Sequence, residues 1–406
     1  MKISTIGLAL AMTLVVPSVG AVNQEIRAVF IPDSSQPQKN VFINRTPNSG
    51  YCATYPDQCR ENNMFSIRLP FRFGPRANIG RLDLIPLKVP ANWRQLTVTN
   101  RQTMETETVE VRITGVGSEY VLSHSAASLV GVTDILDGHQ KLWFGSSWVY
   151  APSPCEYSGV GAYGPNTYRF FWKTPVEAAC NKRTNFAIPH MSFETLDIAY
   201  ELRTPNPLGM SSGLYTGSMN YRIGQGADFD IGGMPADDSN LTLDFVLDVL
   251  HTLKVDLPPG GEKIRLTPAG GWQSWLQEGR KPVRLFWDQS FHISASTRFK
   301  MHLECEIAMN PYECMILDRK TGRAVEVQVS TTLPNGLADL AGQPVKHRRL
   351  RAGASNAQQF QPGFYVDRRP GVLHFEIPPS QMGFMLSPGQ AGYYAGNVTV
   401  IWDSDL

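Results

Sequence analysis

The sequence predicts an all-β chain folded as two immunoglobulin-like antiparallel β-sandwiches in tandem. Three observations point there. Short runs of alternating apolar and polar residues recur along the 406 residues, and period two marks a strand with one buried face. Gly (35) and Pro (29) punctuate these runs, as many tight turns require, and neither half holds a long run of helical periodicity. A glycine–tyrosine motif also occurs twice, as Gly213-Leu214-Tyr215-Thr216-Gly217 and Gly392-Tyr393-Tyr394-Ala395-Gly396. Each copy leads into β-formers, so each reads as a turn feeding a strand late in its own domain.

Taken in order, the chain opens on a targeting segment, 1–21. Lys2 supplies the positive start, 6–16 the apolar run, and Val19-Gly20-Ala21 the small residues of a cleavage site. The mature chain then begins at Val22. Short strands are expected at 28–31, 41–43, 64–69 and 82–89, with a turn-rich loop at 44–52. A clearer strand follows at 108–114, where Val109, Val111 and Ile113 share one face. Residues 120–132 suit either a strand or a short helix. From 142 to 172 aromatic residues crowd among Gly, Ser and Pro, a mixture that suits strands joined by long loops.

Residues 224–238 are rich in Gly, Asp and Pro, the composition of an exposed connector. The expected division is therefore 22–232 for the first domain, 233–238 for the linker and 239–406 for the second domain. The second opens on a long alternation through Leu241, Leu243, Phe245, Leu247, Val249, Val255 and Leu257, stopped by Pro258-Pro259-Gly260-Gly261. Further strands are expected at 299–307, in a hairpin at 315–329 turning at Lys320-Thr321-Gly322, and at 371–377. The basic run 346–351 reads as a solvated loop.

Composition narrows the function. Charged residues make up 18% of the chain and the net charge is +1, which argues against a nucleic-acid binder. No stretch after the leader is apolar enough to cross a bilayer, so the exported product is not expected to be membrane-embedded. Six cysteines in an exported chain read as disulfides. Fifteen pairings are possible; loop-closure entropy favours Cys52–Cys59, Cys155–Cys180 and Cys305–Cys314. The Cys and His spacings match no metal-site pattern, and neither a metal nor another cofactor is expected. Gly209-Met210-Ser211-Ser212-Gly213 matches G-x-S-x-G, but an expected strand follows it where a nucleophile elbow needs a helix, so no catalysis is expected.

The candidate receptor-binding residues are the loop aromatics Trp148, Tyr150, Tyr157 and Tyr163, since exposed rings stack on sugars or anchor in protein pockets. A second candidate site follows from the short ending. The repeated strand at 397–402 is the last that the sequence provides. A sandwich that stops there lacks the strand beside it and exposes unpaired backbone over an apolar groove. Leu243, Phe245, Leu247, Val249, Val398, Val400 and Trp402 are the expected groove residues, and a strand from another chain is the natural filling.

The leader, the cysteine pairs, the loop Phe42-x-Asn44-x-Thr46-Pro47-x-Ser49-Gly50-Tyr51-Cys52 and the ending Tyr394-x-Gly396-x-Val398-x-Val400 resemble subunits of chaperone–usher fimbriae. The two-domain layout resembles their tip adhesins of the Cup type, across the whole mature chain. That resemblance implies a C-terminal pilin domain lacking its last strand. It also implies a periplasmic chaperone that fills the gap, an outer-membrane usher, a next subunit that donates the final strand, and a place at the fimbrial tip on the cell surface. Neutral charge and aromatic loops fit a glycan, a host protein or an abiotic surface alike as the receptor; a structural tip subunit that starts assembly and binds no receptor is the alternative reading. Asp405 stands where many members carry Tyr, which leaves Trp402 as the aromatic candidate for the chaperone contact.

Overall fold

A computed structural model describes residues 22–404 apart from 160, 311, 390 and 391. The leader expected over 1–21 and Asp405 lie outside the described residues. The fold is all-β, with short helices at the turns.

The first domain is built around the 17-residue strand Thr106–Leu122. Its apolar face, with Val109, Val111 and Ile113 fully buried, is the one that the alternation predicts. Its neighbours change along its length. Arg94–Asn100 pairs with its start, Leu196–Arg203 with its middle, and Thr167–Lys173 with its end. The changeover falls at Gly115 and Gly117, where an added Cβ would come within 2.6 and 2.5 Å of the Phe171 ring. Side chains there would push Phe171 off the backbone it covers.

The chain's opening strand, Val22–Phe30, pairs in parallel with Asn240–Val249, and that strand pairs antiparallel with Gly213–Arg222. This corrects the expected domain division. Asn240–Val249 belongs to the first domain, and Leu243, Phe245, Leu247 and Val249 lie in its core, away from any groove. The Gly-, Asp- and Pro-rich stretch before it folds back within the same domain: Asp230–Ile231 pairs with Leu87 and Lys88, and Met234 is fully buried. Turn-forming residues mark any long connection, whether it lies within a domain or between two. The crossing lies instead at 250–252, between Asn240–Val249 and Leu253–Asp256.

His251 stands in that crossing. Its Nε2 lies 2.9 Å from the Met210 carbonyl oxygen and its Nδ1 lies 3.1 Å from Ser296 Oγ. Arg298 reaches back to the Gly209 carbonyl at 2.7 Å. The two domains are thus pinned by polar contacts on both sides of a three-residue passage.

The second domain packs two sheets. One runs Leu253–Asp256, Leu285–Ala295, Val366–Ile377, Arg323–Thr332, Glu313–Asp318 and Ile307–Asn310; the other runs Leu337–Asp339, Gln358–Pro362, Phe299–Cys305 and Val398–Ser404. Phe291, Ile293, Phe299, Met301, Val329 and Phe360 fill the space between them. Burying each such side chain contributes about 1.5–3 kcal/mol. The expected hairpin turns at 319–322, closed by Gly322 N–H on the Asp318 carbonyl at 2.8 Å. The disulfides join Cys52 to Cys59, Cys155 to Cys180 and Cys305 to Cys314. Residues 120–132 divide between the strand end at Leu122 and the short helix Ala126–Val130.

Candidate functional site

The two copies of the repeated motif have different surroundings. Gly213–Arg222 pairs along its full length with Asn240–Val249 on one side and in part with Arg94–Asn100 on the other. Val398–Ser404 pairs over seven residues with Phe299–Cys305 and, among the described residues, has no strand on its other edge. Backbone donors and acceptors along that edge are available to a further strand.

Beside the open edge lies a groove of about 1090 Å³. Val398, Val400 and Trp402 form one wall, at the alternate positions that face inward. Val255, Leu257, Ile264 and Leu266 form the opposite wall. Leu285 and Gln289 from one strand, and Leu373, Phe375 and Ile377 from its neighbour, form the floor. Leu253–Asp256 pairs instead with Leu285–Ala295 and stops just before Pro258-Pro259, which bring no N–H to a ladder.

Of the expected groove residues, Val398, Val400 and Trp402 line it and the four from Asn240–Val249 do not. The floor was missed because it is defined by pairing that is absent, and alternation within one strand does not report absent neighbours. Residues 371–377 were legible as a strand; that its face was uncovered was not.

The aromatic candidates also divide. Trp148 is fully buried, stacked on Trp172 at 5.1 Å, and its carbonyl accepts the Trp172 indole N–H at 2.6 Å. It is a core residue, which corrects its expected role at the surface. Tyr150 and Tyr157 are 51% and 55% exposed and stack on each other, with ring centroids 5.7 Å apart and planes inclined by 17°. Tyr163 is exposed too but lies apart from that pair, against Tyr168 and His139.

Lys182 holds the Tyr150 loop from beneath. Its ammonium donates to the Ser147 carbonyl at 3.0 Å and to the Tyr150 carbonyl at 2.8 Å. Burial pushes its pKa down to about 8. Sequence reading missed Phe144, an exposed ring with the Arg183 guanidinium 4.0 Å from its centroid.

The G-x-S-x-G stretch lies between the 3₁₀ turn Pro207–Gly209 and the strand Gly213–Arg222. The Ser211 backbone N–H donates to Glu105 Oε2 at 3.0 Å, and a strand follows where a nucleophile elbow places a helix. Asp228, Asp230, Asp237 and Asp238 accept backbone N–H groups of their own connection, and Asp237 also that of Arg72.

No protein-family model and no curated protein matches the chain. Solved structures do match it. The chain is similar to fimbrial tip adhesins. The adhesive subunit CfaE of CFA/I fimbriae of enterotoxigenic Escherichia coli is 10% identical, with 94% of this chain and 92% of that chain covered at a TM-score of 0.26. A chaperone–tip adhesin complex of CFA/I fimbriae matches at 11% identity, 95% and 97% coverage and a TM-score of 0.24. The CsuC–CsuE chaperone–tip adhesion subunit complex of the archaic chaperone–usher Csu pili of Acinetobacter baumannii matches at 10%, 94% and 99%, with a TM-score of 0.23. Superpositions this loose leave the functional reading to the groove and the aromatic face themselves.

Proposed function

We propose that the chain is a fimbrial tip adhesin. Its second domain accepts a β-strand from another chain, and its first domain carries the receptor-facing surface. One observation carries this reading: the edge of Val398–Ser404 is free among the described residues and flanks a groove of about 1090 Å³ with a mainly apolar floor. An extended segment satisfies both features at once, pairing its backbone with the edge and seating alternate side chains on the floor. In a fibre the strand comes first from a periplasmic chaperone and then, at an outer-membrane usher, from the next subunit. The mature protein then stands at the fimbrial tip on the cell surface. Tyr150 and Tyr157 are the receptor contacts, for a sugar ring or an apolar protein side chain.

Hydrogen exchange on the full chain tests the first half. A synthetic peptide of alternating Val and Thr, long enough to run beside the 7-residue strand Val398–Ser404, should slow exchange at that strand's amides and leave Gly213–Arg222 unchanged. Unaltered exchange at saturating peptide rejects strand acceptance. For the second half, the double substitution Tyr150→Ala, Tyr157→Ala should abolish attachment to cells or glycan surfaces with the thermal midpoint preserved. Undiminished attachment removes the aromatic pair from the receptor site.

A further inference from the structure

The groove floor is apolar except at one place, and that place has a direction. Leu285 pairs with Ile377 at one end of the floor, and Gln289 pairs with Leu373 further along. Trp402 packs on Phe291, two residues beyond Gln289, so Gln289 lies toward the Trp402 end and Leu285 toward the Val398 end. Within Leu285–Ala295 the buried odd-numbered residues are Leu285, Gln289, Phe291, Ile293 and Ala295. Gln289, 7% exposed, is the single polar side chain in that row.

Its amide is only partly occupied. Gln289 Nε2 donates to the Ser290 carbonyl at 2.9 Å, and Gln289 Oε1 accepts the Trp287 indole N–H at 3.3 Å. Both partners come from its own strand, and together they use one of two N–H donors and one of two oxygen lone pairs. Gly261 on the far wall packs close beside it: a Cβ there would come within 2.9 Å of Gln289 Nε2. Only a residue without a side chain fits at 261 while Gln289 still lines the groove.

We propose that Gln289 selects the strand that fills the groove. The accepted segment carries a hydrogen-bonding side chain, of the Asn, Ser or Thr class, at the inward position facing Gln289. It carries apolar side chains at the inward positions toward Val398 and Ile377. The inference rests on the strand-acceptance reading above and adds its selectivity. An apolar side chain pressed onto Gln289 strips water from the amide and returns no hydrogen bond, whereas a polar one pairs with it. A site built to hydrogen-bond rejects an apolar substitute more sharply than a space-filling pocket rejects a change of size.

The test uses the full chain and a panel of alternating Val–Thr peptides in which a single inward Val is replaced by Asn, one position at a time. At one inward position Asn should tighten binding by roughly tenfold over Val. Gln289→Leu should erase or reverse that preference while still binding the all-Val peptide. Gln289→Glu keeps shape and acceptors and should retain a preference for a donor side chain, which guards against a leucine variant that fails to fold. The proposal is overturned if Val is equal or better at every inward position, or if Gln289→Leu leaves the Asn preference intact. Those results leave strand acceptance standing, because peptides still bind. Failure of every peptide to bind overturns strand acceptance and the selectivity together.

Discussion

Trp402 meets Phe291 edge to face, with ring centroids 4.9 Å apart and planes inclined at 64°. The contact ties the terminal strand to the opposite sheet at one end of the groove, where the strand has a neighbour on only one side. Trp402→Ala should therefore destabilise the second domain by about 3 kcal/mol, and Trp402→Phe by much less. Urea unfolding of the full chain, with amide exchange at Val398–Ser404, reads both. A midpoint unmoved by the alanine substitution would mean that the strand is held by its ladder to Phe299–Cys305 alone.

His251 makes the passage between domains pH-sensitive. Burial pushes its pKa below the ordinary 6.5, so the unfolded chain binds the proton more readily than the folded one. Stability contributed by the neutral ring is full above about 6.5 and is lost as pH falls below it. His139 is buried neutral as well, with its pKa also lowered, and contributes a slope of the same sign. Urea midpoints should fall between pH 7.5 and 5.5 (the chosen range brackets about 6.5), and His251→Gln should flatten part of that fall. An identical pH slope in the variant would remove His251 from the account.

Asp197 is buried in the first domain and takes Arg68 Nε at 2.7 Å and a second guanidinium nitrogen at 2.9 Å. Burial raises the Asp197 pKa, and the fork of Arg68 pulls against it. Removing the carboxylate leaves the guanidinium without its partner, so Asp197→Ala should cost about 3 kcal/mol. Asp197→Asn, which keeps one acceptor, should cost less. Thermal unfolding decides; an alanine variant within about 0.5 kcal/mol of the parent, the range of an ordinary surface change, would show that Arg68 is solvated without Asp197.

Lys182 has a consequence of the same sign as His251, but at high pH. Its folded pKa of about 8 lies below the ordinary 10.5, so between those values the unfolded chain binds more protons and stability rises with pH. The first domain should gain stability from about pH 8 to 9, below the range of about 10 where tyrosines ionise. Lys182→Met should remove that gain. A variant with the same alkaline slope would assign the effect elsewhere.

Strands were legible wherever one face is buried and the neighbour is constant. Val109, Val111 and Ile113 stand where their alternation puts them. The alternation from Leu241 to Leu257 misled because it runs through a change of domain: the chain leaves one sheet at Val249 and enters another at Leu253, and period two continues across both. The helix Ile135–Leu142 escaped because its eight residues are too few for a clear period, although Asp134 caps it by accepting the Asp137 N–H at 2.7 Å. Trp148 was misplaced because its Gly- and Ser-rich approach reads as a surface loop, while the ring turns inward onto Trp172. Half of the groove was visible as the closing strand. The other half depends on which edges go unmatched, and that is a property of the assembled sheets.

The parallel pairing of Val22–Phe30 with Asn240–Val249 joins residues as far apart as Val22 and Leu241. The nine residues of Val22–Phe30 therefore wait for their mate until the chain has been made as far as Asn240–Val249. Contacts this remote in sequence form late. Until Asn240–Val249 is in place, this strand has only the two-residue pairing of Ala28 and Val29 with Asn44 and Ile43, so its buried residues Ile26, Ala28 and Phe30 are among the last in the first domain to be covered.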